Sequence, residues 1–299
     1  MRYSVGAAAR AAGITEGRLR TWERRYGIPS PGRTDSGRRV YDDADLEAIR
    51  RMVALVESGV PAALAAEAVQ SGSVPAEDIG LPPTPLPSHP AVEELVSHAR
   101  RFDDAAARRS VRRIVQTLGW SDSWAQVLFP ALLRLGDGWE RGDLSSAHEH
   151  FLSELLHSEM AAGAAAAPPP SPDAPLVLLA CAEGELHTLG LAALWLGLQQ
   201  AGLRTCYLGA NVPTESLVLA TRDTAASAVC ITATVQTSRP TLGQASRALS
   251  RLRPAPRVFV GGPVVEPGAA LTQFAGTPLP PSVAEAVEVI TSAVERRTR

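Results

Sequence analysis

Four short apolar runs constrain this chain more than any other feature: "LVLLACA" from Leu176, "TCYLGA" from Thr205, "AVCITATV" from Ala228 and "RVFVGGP" from Arg257. None shows the polar alternation of a half-exposed strand, so each reads as a strand buried on both faces. Stretches of helical period separate them: "LGLAALWLGLQQAG", "PTESLVLATRDTAA" and "TLGQASRALSRLR". Strand and helix in alternation make a doubly wound parallel sheet. Ligands of such sheets bind outside the carboxyl ends of the strands.

Two proline-rich breaks divide the rest. "SGSVPAEDIGLPPTPLPSHP" (71–90) and "PPPSPDAP" (168–175) are extended, helix-stopping linkers. They leave segments 1–70, 91–167 and 176–299. The middle segment has apolar residues at spacings of three and four, with turn signals at Phe102-Asp103 and Gly119. That pattern predicts four helices and a small bundle. The first segment reads as short helices. Ser4 and Thr15 stand as N-caps, Gly13 and Gly27 as stops, and Asp42 or Asp43 caps a further helix after a short strand, "RRVY". Two helices joined at a glycine make a helix-turn-helix.

No apolar run approaches the ~20 residues of a membrane span, and no N-terminal apolar region marks a leader. The three cysteines, Cys181, Cys206 and Cys230, lack metal-ligand spacing. They are expected to be buried free thiols of a cytoplasmic protein. The net charge of −2 argues against indiscriminate nucleic-acid binding. Its distribution says more. Every base is arginine, and Arg18, Arg20, Arg24, Arg25, Arg33, Arg38 and Arg39 crowd one stretch against only Glu23 and Asp35. A localised basic patch is the footprint of a phosphate-backbone contact; the plainer reading is a solvated arginine face.

The stretch from "YSVGAAARAAGITEGRLRTWERRYGIPSP" to "RTDSGRRVYDDADL" closely resembles the DNA-binding domain of MerR-type transcription regulators. The resemblance covers 1–70 and implies a winged helix-turn-helix that binds double-stranded DNA. It places Arg18, Arg20 and Arg24 on or near the recognition helix, with Arg25 beside them. Arg33 to Tyr41, including Arg38 and Arg39, would form the wing over the phosphates. Trp22 and Tyr26 read as helix packing. Metal-sensing members carry a cysteine cluster and a long coiled-coil helix, and this sequence shows neither.

His187 is the last histidine of the chain and stands just past the first apolar strand, in "ELHTLG". A lone histidine there is more often a satisfied polar group than a ligand. The form Glu185-x-His187-x-x-Gly190 resembles the E/D-x-H-x-x-G signature of cobalamin-binding domains. That resemblance implies a flavodoxin-like (Rossmann-like) sheet and His187 as the lower axial ligand of cobalt. Glu185 would hold the imidazole, and Gly190 would leave room for the nucleotide tail. "YLGANVPTESLVLA" and the Gly261-Gly262 of "VFVGGP" resemble the same family in the same order. Thr232 keeps a hydroxyl able to bond the Glu185–His187 pair, while Thr234 departs from the family's S-x-L. No phosphate-cradling glycine loop follows the first strand, against a nucleotide site.

In the middle segment, Trp139, nine residues, then Glu149-His150 resembles the helical cap of light-sensing, adenosylcobalamin-dependent MerR-type repressors, the CarH/LitR type. The resemblance puts Trp139, Glu149 and His150 around the adenosyl group. A metal site from His148, His150 and His157 fits less well, because 148 and 150 point to different helix faces. Family members can carry a histidine directly after the tryptophan; here that position is Glu140.

Together these resemblances imply a non-enzymatic, cytoplasmic, light-responsive repressor. It would bind an operator as a dark dimer or tetramer and be released by photolysis of the cobalt–carbon bond. The alternative is a light-independent, cobalamin-sensing or partner-controlled MerR-type regulator. A methyltransferase-like enzyme is disfavoured by the DNA-binding segment.

Overall fold

The computed structural model describes residues 2–34, 37–57, 62–71, 89–140, 143–265 and 274–295. The linker expected over 71–90 lies outside these residues except at its ends, as do Asp35 of the wing and the side chain of Glu140. One compact unit comprises Met1–Pro87 with Val235–Thr237; a second comprises Ser88–Thr234 and Ser238–Arg299.

In the first unit, α1 (Val5–Ala11) and α2 (Glu16–Tyr26) are set by their caps. The Ser4 hydroxyl accepts from Ala7 N–H and the Thr15 hydroxyl from Arg18 N–H, each satisfying an orphan donor of the first turn. Gly27 ends α2 in the left-handed region (φ 68°), where a Cβ would be strained. A two-stranded antiparallel hairpin follows, β1 (Gly32–Arg33) with β2 (Arg39–Val40). Asp42 then caps α3 (Asp43–Glu57), accepting from the N–H groups of Ala44 and Asp45. α4 (Ala62–Ser71) closes the unit. Its core gathers Ala8, Leu19, Trp22, Tyr41, Ile49 and Met52.

The second unit begins with the bundle: α5 (Pro90–Arg100), α6 (Asp104–Ser123), α7 (Phe129–Glu140) and α8 (Ser146–Ala165). Both sequence-level turn signals are real. Phe102 has φ 52°, and Gly119 breaks the helical path of α6 at φ 75°, ψ 168°. A π turn over Trp124–Leu128 then leads into α7. The bundle core of Leu95, Val111, Leu128, Leu152, Leu156 and Met160 continues into Ala192, Ala193 and Leu196 of the adjoining sheet region. Each of these leucines contributes about 1.5–3 kcal/mol by burial. On the same side of α8, buried Glu159 is clasped by Arg108 and Arg112 of α6 at 2.8–2.9 Å.

The sheet has β3 (Leu176–Ala182), β4 (Arg204–Val212), β5 (Ala228–Thr232), β6 (Arg257–Gly261) and β7 (Thr277–Pro278), all parallel in the order β4-β3-β5-β6-β7. The period of two sorts β3 onto two cores. Leu178, Ala180 and Ala182 meet α10 (Thr214–Asp223) and α11 (Arg239–Ser250) on one face. Val177, Leu179 and Cys181 meet α9 (Leu189–Gln200) and α12 (Val283–Glu295) on the other. Short β7 and all of α12 have no counterpart in the sequence reading. Cys181 and Cys230 are buried free thiols, but Cys206 is only half-buried, because β4 is an edge strand.

Candidate cofactor site and nucleic-acid interface

Strand order reverses between β3 and β5: the chain leaves β3 toward β4 and leaves β5 toward β6. Their two carboxyl-end loops therefore diverge around a crevice, the usual ligand position of an open parallel sheet. Glu185 spans it. Its side chain has no exposed surface, and its two oxygens serve opposite sides. Oε1 accepts from the backbone N–H of His187 at 2.8 Å and lies 2.6 Å from His187 Nδ1. Oε2 accepts from the backbone N–H of Thr234, in the loop after β5.

That geometry decides the histidine's tautomer. A carboxylate oxygen accepts, so Nδ1 carries a proton, and in the neutral imidazole the lone pair then lies on Nε2. The His187 side chain is 40 % exposed, and Nε2 is the nitrogen left for a metal. This is the carboxylate–histidine pairing that fixes a ligand's orientation and raises its basicity.

The loop carrying this pair is held from several sides. Gly184 takes φ 85°, and its N–H donates to Asn211 Oδ1 at 2.8 Å. Asn211, itself at φ 51°, donates its own N–H to Glu185 O at 2.9 Å. The Cys181 thiol reaches His187 O at 3.6 Å and Thr232 Oγ1 at 3.5 Å. Burial pushes that thiol up to about 11, so it stays protonated and serves as a donor. On the far side of His187, Thr188 Oγ1 lies 3.0 Å from His157 Nε2 of α8, which is also 3.4 Å from Tyr207 OH.

The residues fit a cobalt–corrin group at His187. The imidazole is oriented with one nitrogen open, and a Cβ built on Gly190 meets no atom within 4 Å. Gly262 has a different reason to be glycine. At φ 98° its Cβ would fall 2.1 Å from Ala233 O, so the chain's own backbone demands it. Gly261 is buried beside Leu279 and Thr232.

Trp139 is half-buried at the end of α7 and lies outside the packed core of the bundle; Glu149 is half-buried and His150 exposed on α8. His148 is engaged otherwise. It closes the capping box with Ser145 and stacks on Phe102 at 4.6 Å. Among the described residues no three His, Cys, Asp or Glu side chains converge as a metal site.

In the N-terminal unit, Arg20, Arg24, Arg33, Arg38 and Arg39 are exposed, and Arg18 and Arg25 half-buried. Arg18 lies over the Trp22 ring at 4.6 Å and Arg25 over Tyr26 at 5.8 Å. Arg20 pairs with Glu16 and Arg39 with Glu23, at 3.1 and 2.7 Å. Tyr41 departs from the sequence expectation. It is fully buried and its hydroxyl bonds Glu23, so it ties the wing to α2 rather than presenting itself to a phosphate. Burial, and then the Glu23 hydrogen bond, raise its phenol well above the ordinary 10.

Sequence reasoning missed Asn211, the Thr234 backbone donor and the His157–Thr188–Tyr207 contact. An asparagine between an apolar strand and a proline is a signal for the left-handed region, and so for Asn211. A backbone donor carries no sequence signal at all.

Residues 3–71 match the model of the MerR HTH family regulatory protein. Residues 175–277 and 91–162 each match a B12 binding domain model. The chain is 29% identical over 278 residues to the HTH-type transcriptional repressor CarH of Myxococcus xanthus, covering 87% of this chain and 88% of that one. It is 31% identical over 223 residues to the HTH-type transcriptional repressor CarA of the same organism, covering 73% and 71%. Among solved structures, the monomethylamine corrinoid protein of Methanosarcina barkeri superposes with a TM-score of 0.54 at 18% identity, over 68% of this chain and 98% of that one. The likeness establishes the fold of the second unit.

Proposed function

Because the chain belongs to the family of MerR-type transcriptional repressors with B12-binding domains, we propose that it is an adenosylcobalamin-dependent, light-responsive repressor. The observation that carries the cobalamin part is the buried Glu185 carboxylate holding His187 Nδ1 and leaving Nε2 open.

His187 would hold cobalt from below, with Gly190 leaving space for the tail and the backbone at Gly261-Gly262 set against it. Trp139, Glu149 and His150 would line the opposite side. When bound, the cofactor supplies a cobalt–carbon bond that visible light breaks. The protein's part is to hold α7 and α8 in one position in the dark and release them in the light. A dark dimer or tetramer presents several arginine-bearing modules to one operator. That multivalency supplies affinity a single small module lacks. The protein acts in the cytoplasm; among the described residues no helix is long and apolar enough to cross a membrane. It has no enzymatic role in this reading.

Glu140, directly after Trp139, favours a second reading: a regulator that reads cobalamin supply, or a partner protein, without light. Binding to operator DNA separates the two. It is measured with adenosylcobalamin in the dark and after illumination, and without cofactor. Loss of binding on illumination supports the photoreceptor. Cofactor dependence that ignores light supports the second reading. Binding indifferent to both contradicts each.

A further inference from the structure

The proposed ligand and the cap are joined by a contact that neither role requires. Thr188 directly follows His187 and occupies the N-cap position of α9, yet its side chain caps nothing. Threonine at an N-cap ordinarily accepts from the first turn. Here the hydroxyl lies instead 3.0 Å from His157 Nε2, on α8 of the bundle. Tyr207 OH approaches the same nitrogen at 3.4 Å, and its ring meets His157 edge-on at 6.1 Å. Tyr207 is in turn fixed by Trp195, whose ring lies 5.0 Å away and whose indole N–H donates to Thr205.

His157 stands seven residues after His150 on α8, two turns along the same face and about 10 Å away. The backbone step from His187 to Thr188, the hydrogen bond to His157 and the helix to Glu149-His150 therefore form one short mechanical chain. We propose that His157 is a positioning residue. It latches the cap helix α8 to the loop of the cobalt ligand, so that displacement of His187 and displacement of the cap are coupled. The significance for cobalamin rests on the function proposed above; the latch itself does not.

The test uses the full chain as wild type, His157→Phe, His157→Gln, Thr188→Val and the double variant His157→Phe/Thr188→Val. Phenylalanine keeps a ring against Tyr207 and removes the Nε2 contacts to Thr188 and to Tyr207 OH; valine keeps the shape of threonine. Amide hydrogen exchange is read without cofactor, over α8 and over residues 187–190. The latch requires each of His157→Phe and Thr188→Val to speed exchange on both sides of the contact, by about fivefold for one neutral hydrogen bond. The double variant should fall short of the sum of the two single effects, because both lose the shared Thr188–His157 bond, and His157→Gln should recover part of the effect. Effects confined to the mutated side, or adding in the double variant, overturn the latch.

The same proteins are then titrated in the dark with adenosylcobalamin. His157→Phe should keep the histidine-ligated absorption spectrum while binding about fivefold more weakly. Loss of that spectrum would make His157 a ligand and overturn its positioning role. A wild type that takes up no cobalamin defeats the proposed function and leaves the exchange result to decide the latch.

Discussion

Glu185 Oε1 lies 2.6 Å from His187 Nδ1, and the carboxylate that makes this contact is sealed from solvent while the imidazole is not. A buried acceptor thus sets the orientation of a half-exposed donor. Its second oxygen is bound across the crevice by the loop after β5. The pair belongs to the sheet's switch point as much as to its own loop.

Removing the acceptor should therefore cost more than one hydrogen bond. Glu185→Gln keeps the size but loses the charge and one acceptor oxygen, leaving Nδ1 or the Thr234 N–H poorly paired. Cobalamin affinity is expected to fall about 10- to 100-fold, the usual effect of removing a ligand's supporting partner. Spectroscopic titration in the dark measures it; an unchanged affinity would mean His187 needs no orienting group.

Gly262 gives a prediction independent of any cofactor. Gly262→Ala puts a methyl 2.1 Å from Ala233 O at φ 98°. Backbone must move, and a loss of about 1–3 kcal/mol is expected in urea unfolding of the cofactor-free protein. Gly190→Ala, whose Cβ meets nothing within 4 Å, should leave that stability nearly unchanged and weaken cobalamin binding instead.

How much of this the sequence showed depends on where each signal resides. Ser4, Thr15 and Gly27 mark helix ends by local chemistry, and all three act as read. Strands β3, β5 and β6 were legible because burial on both faces leaves an unbroken apolar run; β4 was read from "TCYLGA" although, as an edge strand, it is mostly half-buried. β7 was not, because two residues ending in a proline carry no period, and its place is set by pairing with β6. α12 buries Ala286, Ile290, Ala293 and Val294 at helical spacing, a signal that was present behind two prolines but was not read. At the site, Glu185 and His187 are neighbours in sequence and could be read. Thr234 and His157 meet them only through the fold.

The acid sensitivity of the bundle follows from Glu159. Its hydrogen bond from Arg112 is the largest influence and, with Arg108, holds the carboxyl below its ordinary value of 4.5 despite burial. A depressed folded value means stability present above the unfolded value and lost as pH falls through the folded one. Melting temperatures of wild type and Glu159→Gln should differ most at neutral pH, and the gap should shrink as pH falls below the ordinary 4.5. A constant gap across that range would show that the pair carries no such linkage.

In the DNA-binding unit the exposed and the structural residues should separate by salt dependence. Arg38→Ala removes an exposed cation of the wing, and its loss should reduce the slope of log affinity against log salt by about 0.9. Tyr41→Phe, buried and bonded to Glu23, should lower thermal stability and leave the slope unchanged. Fluorescence anisotropy with operator DNA at several salt concentrations distinguishes them.

The account turns on His187, and one measurement addresses it most directly. Purified wild type and His187→Ala are mixed with adenosylcobalamin in the dark, and their absorption spectra are recorded before and after illumination, with a sizing column on each sample. Histidine ligation in the wild type, absent from His187→Ala, with a light-induced change in size, is the expected result. The same spectrum from both proteins would mean that cobalt is held elsewhere and that His187 is an ordinary loop histidine.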